Sequence, residues 1–100
     1  MKMHQLPAAS AEFEEAIAWY AERSPQSAEA FWQEVERAKR RIVEQPEAAP
    51  VVRRRSRRFI LRHFPYDVVY LAVENEIVVI AYAHHKRRPG YWQDRLRNVH

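Results

Sequence analysis

The side chains best suited to chemistry are concentrated in residues 83–95, AHHKRRPGYWQDR, where two histidines and a basic run precede the chain's only glycine. The basic run at 86–88 follows an apolar segment, and Pro89 with Gly90 favours a turn. Tyr91 and Trp92 come next. Their rings are expected to cap the core, to dock on a partner or a base, or to do both. A cluster of cations at the end of a core strand predicts a surface for an anionic partner.

Four side chains are candidates for catalysis, namely Arg58, Arg62, His85 and Tyr91. Cleavage of a phosphodiester through a neighbouring hydroxyl needs a proton acceptor, a proton donor and cations around the phosphate. A histidine titrates near neutral pH and can serve as acid or base, although a histidine at a strand end is more often a packed structural residue. His84 and His85 are adjacent, so on a strand they face opposite sides and cannot share a metal ion.

The sequence contains no signal for a cofactor or a metal. It has no cysteine, no Gly-rich phosphate loop, no nucleophile constellation and no ligand spacing typical of a metal site. The absence of cysteine fits a reducing compartment. Neither a signal peptide nor a membrane-spanning segment is expected, so the prediction is a cytoplasmic protein without cofactor or metal.

Composition indicates one folded domain over residues 1–100. Hydrophobic residues make up 47% and aromatic residues 12% of the chain, which argues against disorder. The net charge of +4 is unevenly distributed. The first fifty residues carry 6 Lys and Arg against 9 Asp and Glu, and the last fifty carry 11 against 4. The basic surface therefore belongs to the second half.

Two helices are predicted in the first half, after a short strand at residues 2–6. Apolar residues recur every three or four positions over residues 8–22 and again from Ser24 to about Gln45. Ser24 followed by Pro25 is typical of a helix start. The tight connection predicts an antiparallel helical hairpin. The acidic residues of the first helix are expected to form a solvated face.

Three strands are predicted in the second half, in RRFILRHF, YDVVYLAV and EIVVIAYA. The last two are apolar on both faces, and a helical hairpin covers only one face of a sheet. The other face then needs a short C-terminal helix starting near Pro89, or a partner. The predicted fold class is α+β, in the order β-α-α-β-β-β, with a twisted antiparallel sheet and the hairpin on one face.

The chain resembles the RelE/ParE superfamily of type II toxin–antitoxin toxins, particularly the ParE-like branch often called plasmid stabilisation proteins. The resemblance rests on residues 11–42 and 57–92, above all on FPYDVVY followed by IAYAHHKRRPGYW. It implies a toxin that inhibits DNA gyrase, is neutralised by an acidic antitoxin, and meets operator DNA only through the antitoxin complex. The residues expected to bind target or antitoxin are Lys86, Arg87, Arg88, Tyr91, Trp92, Arg58 and Arg62.

Two alternatives remain open at the level of sequence. One is a ribosome-dependent mRNA endonuclease like the RelE branch, and the other is a non-toxic member that acts as a co-repressor. The nuclease branch typically carries an arginine at the position after FPY, where this chain has Asp67. A carboxylate there repels the phosphate that an arginine would hold, which counts against the nuclease.

Overall fold

The structure, a computed structural model, describes residues 1–99 and contains a helical hairpin against a four-stranded sheet. The elements are β1 (Lys2–Gln5), α1 (Pro7–Arg23), α2 (Pro25–Glu44), β2 (Arg57–Ile60), β3 (Tyr66–Val73), β4 (Glu76–His84) and a C-terminal 3₁₀ helix (Gln93–Asn98). This confirms the predicted α+β class and the order of its elements.

The helical hairpin turns at Ser24, which ends one helix and begins the next. The backbone N–H of Ser24 donates to the Tyr20 carbonyl at 2.8 Å, which closes α1. The Ser24 hydroxyl oxygen then accepts from the Ser27 N–H at 3.2 Å and caps α2. Pro25 in the first turn of α2 loses nothing by lacking an N–H. The predicted helix boundary is therefore confirmed, with its cap geometry.

The strands are arranged in the order β1-β4-β3-β2. β2, β3 and β4 are antiparallel as predicted, but β1 runs parallel to β4, with Met3 opposite Ile77. The sheet is therefore mixed, and the prediction of an entirely antiparallel sheet was wrong for this pair. The intervening hairpin and strands provide the crossover that two parallel strands require.

Strand β2 is shorter than the predicted run of residues 57–64. It ends at Ile60 because, beyond Leu61, the backbone N–H groups of Arg62 and His63 bond to the Glu34 carboxylate of α2 instead of a neighbouring strand. Leu61 still donates to the Tyr66 carbonyl at 3.0 Å. The chain between β2 and β3 is thus held against the helices.

Two apolar clusters fill the two faces of the sheet. The helix-side cluster includes Phe31, Val35, Tyr70 and Tyr82. The cluster on the other face is formed by the buried residues Val69, Leu71, Val78, Ile80, Ala81, Ala83, Trp92 and Leu96. The C-terminal segment, residues 91–99, therefore covers the second sheet face, as one of the two predicted alternatives had it. It does so with a 3₁₀ helix and not an α-helix.

Trp92 is part of this second cluster, and its placement corrects an expectation. The sequence predicts that the Trp92 ring contacts a target, yet only 5% of the residue is exposed. A ring buried against the sheet stabilises the fold and does not reach a partner in this conformation.

Candidate functional site

An open groove of about 600 Å³ lies on the sheet face opposite the helices, beside β2. Four arginines, one carboxylate and one of its two histidines define what is called the Asp67 groove: Arg53, Arg58, Asp67, His85, Arg87 and Arg88. Three strands deliver the polar groups. Arg58 projects from β2, Asp67 from β3, and His85 follows the end of β4. Ile60 and Asp67 are cross-strand partners, so the polar groups border an apolar side chain.

Asp67 is the central anion of the groove. It is only 8% exposed, and its partners are side chains from the two flanking strands. The His85 Nε2 atom lies 2.8 Å from its Oδ1 atom, and the Arg58 Nε atom lies 3.7 Å from its Oδ2 atom. Asp67 therefore contacts two of the four side chains predicted to be catalytic, His85 and Arg58.

The basic turn after β4 leaves its cations in solvent. The Lys86 N–H donates to His84 Nδ1 at 3.0 Å, and the Arg87 N–H donates to the His84 carbonyl at 3.0 Å. Burial, followed by the charges of His85 and Lys86, lowers the pKa of His84, so the ring is neutral and can accept this bond. Gly90 then turns the chain with φ +75°, a conformation that favours glycine.

The three cations of this turn, Lys86, Arg87 and Arg88, are exposed. The Arg87 guanidinium lies 3.9 Å from the centre of the Tyr91 ring. Stacking of this kind occupies a face of the guanidinium and leaves its N–H groups directed outward. Across residues 1–99, none of the three makes an ion pair with a carboxylate. The predicted basic surface is therefore present and open.

Tyr91 is held by a carboxylate that sequence reasoning missed. Its hydroxyl donates to Glu12 Oε2 at 2.5 Å, and Glu12 also binds Arg95 through bonds of 2.9 and 3.0 Å. The Tyr82 N–H donates to Glu12 Oε1 at 3.1 Å. Burial and the bond to Glu12 raise the pKa of Tyr91. The hydroxyl is thus committed to a structural role, away from Asp67.

A second groove, of about 630 Å³, lies on the helix side of β2. Its charged residues and one histidine define the Glu34 groove: Glu34, Arg37, Arg40, Arg41, Glu44, Arg62 and His63. Glu34 is 8% exposed and accepts from the backbone N–H groups of Arg62 at 2.5 Å and His63 at 3.1 Å. Its Oε1 atom lies 2.8 Å from His63 Nδ1.

Burial alone would raise the pKa of Glu34. The bonds from the His63 ring and from the two backbone N–H groups outweigh burial, and its pKa lies below the ordinary value. Glu34 is therefore ionised at neutral pH. A charged carboxylate bonded to backbone N–H groups fixes the loop after β2.

Both missed glutamates left a signal in the sequence. Glu12 lies three positions after Ala9 and four before Ala16, and Glu34 lies three after Phe31 and four before Ala38. Each is therefore on the apolar stripe of its helix and not on the solvated face. A charged residue within an apolar stripe indicates a buried ionic contact.

The four predicted catalytic side chains do not form one site. Arg58 and His85 meet at Asp67, while Tyr91 also lines the Asp67 groove but directs its hydroxyl to Glu12. Arg62 lies in the Glu34 groove and Arg58 in the Asp67 groove, so these two candidates are separated. The reason is that β2 ends before Arg62. No group of three or more His, Asp or Glu able to hold a metal occurs in the described part of the chain.

The helices of residues 1–99 include none with the length and apolar character needed to cross a membrane.

A family model described as the ParE toxin of the type II toxin–antitoxin system parDE matches residues 4–89. A solved structure titled as the chromosomal ParDE toxin–antitoxin system from P. aeruginosa has a similar fold, with a TM-score of 0.70 and 19% identity. That match covers 84% of this chain and 95% of the other. No match was found among curated proteins.

Proposed function

Because the chain belongs to the ParE toxin family of type II toxin–antitoxin systems, we propose that it is a binding toxin that inhibits DNA gyrase and is neutralised by an acidic antitoxin. The observation that carries this proposal is the contrast between its catalytic candidates and its basic turn. The four catalytic candidates do not share one site, because Arg62 lies in the Glu34 groove, away from Arg58 and His85, and Tyr91 is bound to Glu12. The cations of residues 86–88, in contrast, are exposed and unpaired within residues 1–99.

An acidic antitoxin fits the charge of this surface. The cations of the basic turn, Lys86, Arg87 and Arg88, have no ion pair among residues 1–99, and complementary charge accelerates association and selects partners. An antitoxin segment that folds on binding would lose conformational entropy, which contacts with the basic turn offset.

The gyrase proposal is tested by adding the purified chain to gyrase and relaxed plasmid. We expect loss of supercoiling and accumulation of linear plasmid. Replacement of Arg87 and Arg88 by glutamate should weaken the inhibition at least tenfold, or about 1.4 kcal/mol. The matched control is Lys2→Glu with Arg97→Glu. It changes the charge equally, with one substitution on the opposite sheet edge and the other at an exposed position of the 3₁₀ helix.

Pulse labelling after induction in a bacterial host separates this target from translation. Arrest of thymidine incorporation before methionine incorporation supports the gyrase proposal. Arrest of methionine incorporation first, with supercoiling unaffected by the purified chain, contradicts it.

RNA cleavage is the second candidate, and one contact favours it. The Asp67–His85 pair has the geometry in which a carboxylate orients an imidazole, so that its other ring nitrogen can accept a proton. Arginines surround the pair in the same groove. Primer extension on transcripts after induction tests this candidate. Cuts that disappear in the His85→Gln variant support it, and intact transcripts in growth-arrested cells exclude it.

A further inference from the structure

The two grooves are continuous around the β2 edge of the sheet. A smaller depression of about 290 Å³ lies between them and is lined by Arg41, which also lines the Glu34 groove, and by Arg58, which also lines the Asp67 groove. Ile60 lines all three depressions. Four arginines on each side thus form one arginine belt, defined as the arginines of the Asp67 and Glu34 grooves.

The charge of the arginine belt is largely uncompensated. All eight arginines are exposed, and only Arg58 makes an ion pair with a carboxylate in the structure of residues 1–99. The acidic side chains among the lining residues are Asp67, Glu34 and Glu44. Asp67 and Glu34 are buried, and each has a histidine 2.8 Å away. Seven guanidinium groups of the belt therefore have no carboxylate partner within residues 1–99 and can bind an external anion.

The residue types favour phosphate as this anion. Guanidinium forks match phosphate oxygens bidentately, and all eight cations are arginines. The large exposed apolar side chains lining the belt are Val52 and Ile60. An interface with an acidic protein would instead need an apolar core of packed anchors. The spread of the arginines over two faces of one edge suits a polyanion better than a single phosphate group.

The aromatic residues near the belt favour double-stranded over single-stranded nucleic acid as its ligand. Binding of single strands relies on rings onto which bases stack. Trp92 and Tyr70 are buried, and Phe59 is partly buried against the helix-side cluster. Arg87 lies over the Tyr91 ring, and the exposed Trp19 and Trp32 line none of the three depressions. The belt therefore offers phosphate contacts without an open stacking surface.

We propose that the arginine belt around β2 binds the phosphate backbone of double-stranded DNA directly, without regard to sequence. This interaction requires neither gyrase nor an antitoxin and does not rest on the function proposed above. The chain would then bind DNA without the help of another protein.

Fluorescence anisotropy with a labelled 20-base-pair duplex of mixed sequence tests the proposal on the purified full chain. The affinity should fall steeply with salt. Each phosphate contact contributes a slope of about −0.9 to the dependence of log K on log salt concentration. Two double variants probe the two sides of the belt, Arg40→Glu with Arg41→Glu and Arg53→Glu with Arg88→Glu. Each should weaken binding at least tenfold and reduce the slope by about two.

The control is again Lys2→Glu with Arg97→Glu, which should change affinity less than threefold, with circular dichroism confirming that all variants fold. An unchanged affinity in either belt variant overturns the continuous belt. Tighter binding to a single-stranded RNA of equal length overturns the choice of a duplex. Displacement of the duplex by polyglutamate at matched charge, but not by inorganic polyphosphate, would assign the belt to an acidic protein and overturn the proposal.

Discussion

Glu34 and Asp67 lie on opposite sides of β2 and have nearly the same burial and distance to a histidine, yet they differ in the groups that they bind. Each is 8% exposed and lies 2.8 Å from a histidine. Glu34 also binds two backbone N–H groups, whereas the hydrogen-bond and ion-pair partners of Asp67 are side chains. A carboxylate that binds backbone fixes a loop. A carboxylate that binds only exposed side chains sets the charge of a groove.

Glu12 belongs with Glu34 in this comparison. It accepts from the backbone N–H of Tyr82 and also holds Tyr91 and Arg95 of the C-terminal segment. Both glutamates project from helices and fasten a piece of chain that has little regular structure of its own. Asp67 projects from a strand and fastens none. The comparison predicts that the glutamates matter for stability and that Asp67 matters for binding.

The largest effect is expected from Glu12→Ala. It leaves Arg95 and the Tyr91 hydroxyl without their partner and releases the segment that covers the second apolar cluster. The Glu12–Arg95 pair is partly exposed, and Arg95 keeps its bond to the Ile80 carbonyl. The expected loss is therefore about 3 kcal/mol, the low end of the cost of breaking a buried ion pair. Urea unfolding followed by tryptophan fluorescence measures this cost.

Glu14→Ala is the control for Glu12→Ala, because Glu14 is exposed on the same helix and makes no ion pair in the structure of residues 1–99. It should change the free energy of unfolding by less than about 0.5 kcal/mol. Equal effects of the two substitutions would show that Glu12 does not hold the C-terminal segment.

Glu34→Gln should produce the next largest effect. Both backbone N–H groups donate to Oε2 of Glu34, and the His63 ring faces Oε1. The amide oxygen of glutamine can therefore keep both backbone bonds, but without the charge that strengthens them. We expect a loss of about 1–2 kcal/mol, measured by urea unfolding at pH 7. Glu44→Gln changes the same charge at an exposed position of α2 and should be nearly neutral.

The fold was more accessible to sequence reasoning than the site. Apolar periodicity and Ser24 with Pro25 located the hairpin, because both effects act within a few residues. The direction of β1 and the early end of β2 depend on partners distant in sequence, Ile77 for Met3 and Glu34 for Arg62. The separation of Arg62 from Arg58 follows from that early end. Local patterns in residues 57–64 contain no information about a carboxylate on α2.

Stability should depend on acid through Glu34, with a smaller amplitude than the substitution itself. The pKa of Glu34 is lower in the folded protein than the ordinary 4.5, so its ionisation stabilises the fold at pH above about 4.5. This contribution disappears as the pH falls through the folded pKa. The difference in unfolding free energy between the wild type and Glu34→Gln should therefore be constant from about pH 5 to 7 and shrink below pH 4. A difference that stays constant down to pH 3 would contradict this assignment.

The smallest effect on stability, and the one that best separates the two sides of β2, is expected from Asp67→Asn. The amide oxygen can still accept from His85, and the exposed Arg58 keeps its hydration, so unfolding should change by about 1 kcal/mol or less. The substitution removes the anion from among the arginines of the groove. The affinity for duplex DNA should therefore rise about two- to fivefold at low salt, while Asp94→Asn, at an exposed position of the 3₁₀ helix, should leave it unchanged. If Asp67→Asn instead destabilised the fold as much as Glu34→Gln and left DNA affinity unchanged, Asp67 would be a structural residue like Glu34, and the difference between backbone and side-chain partners would not predict function.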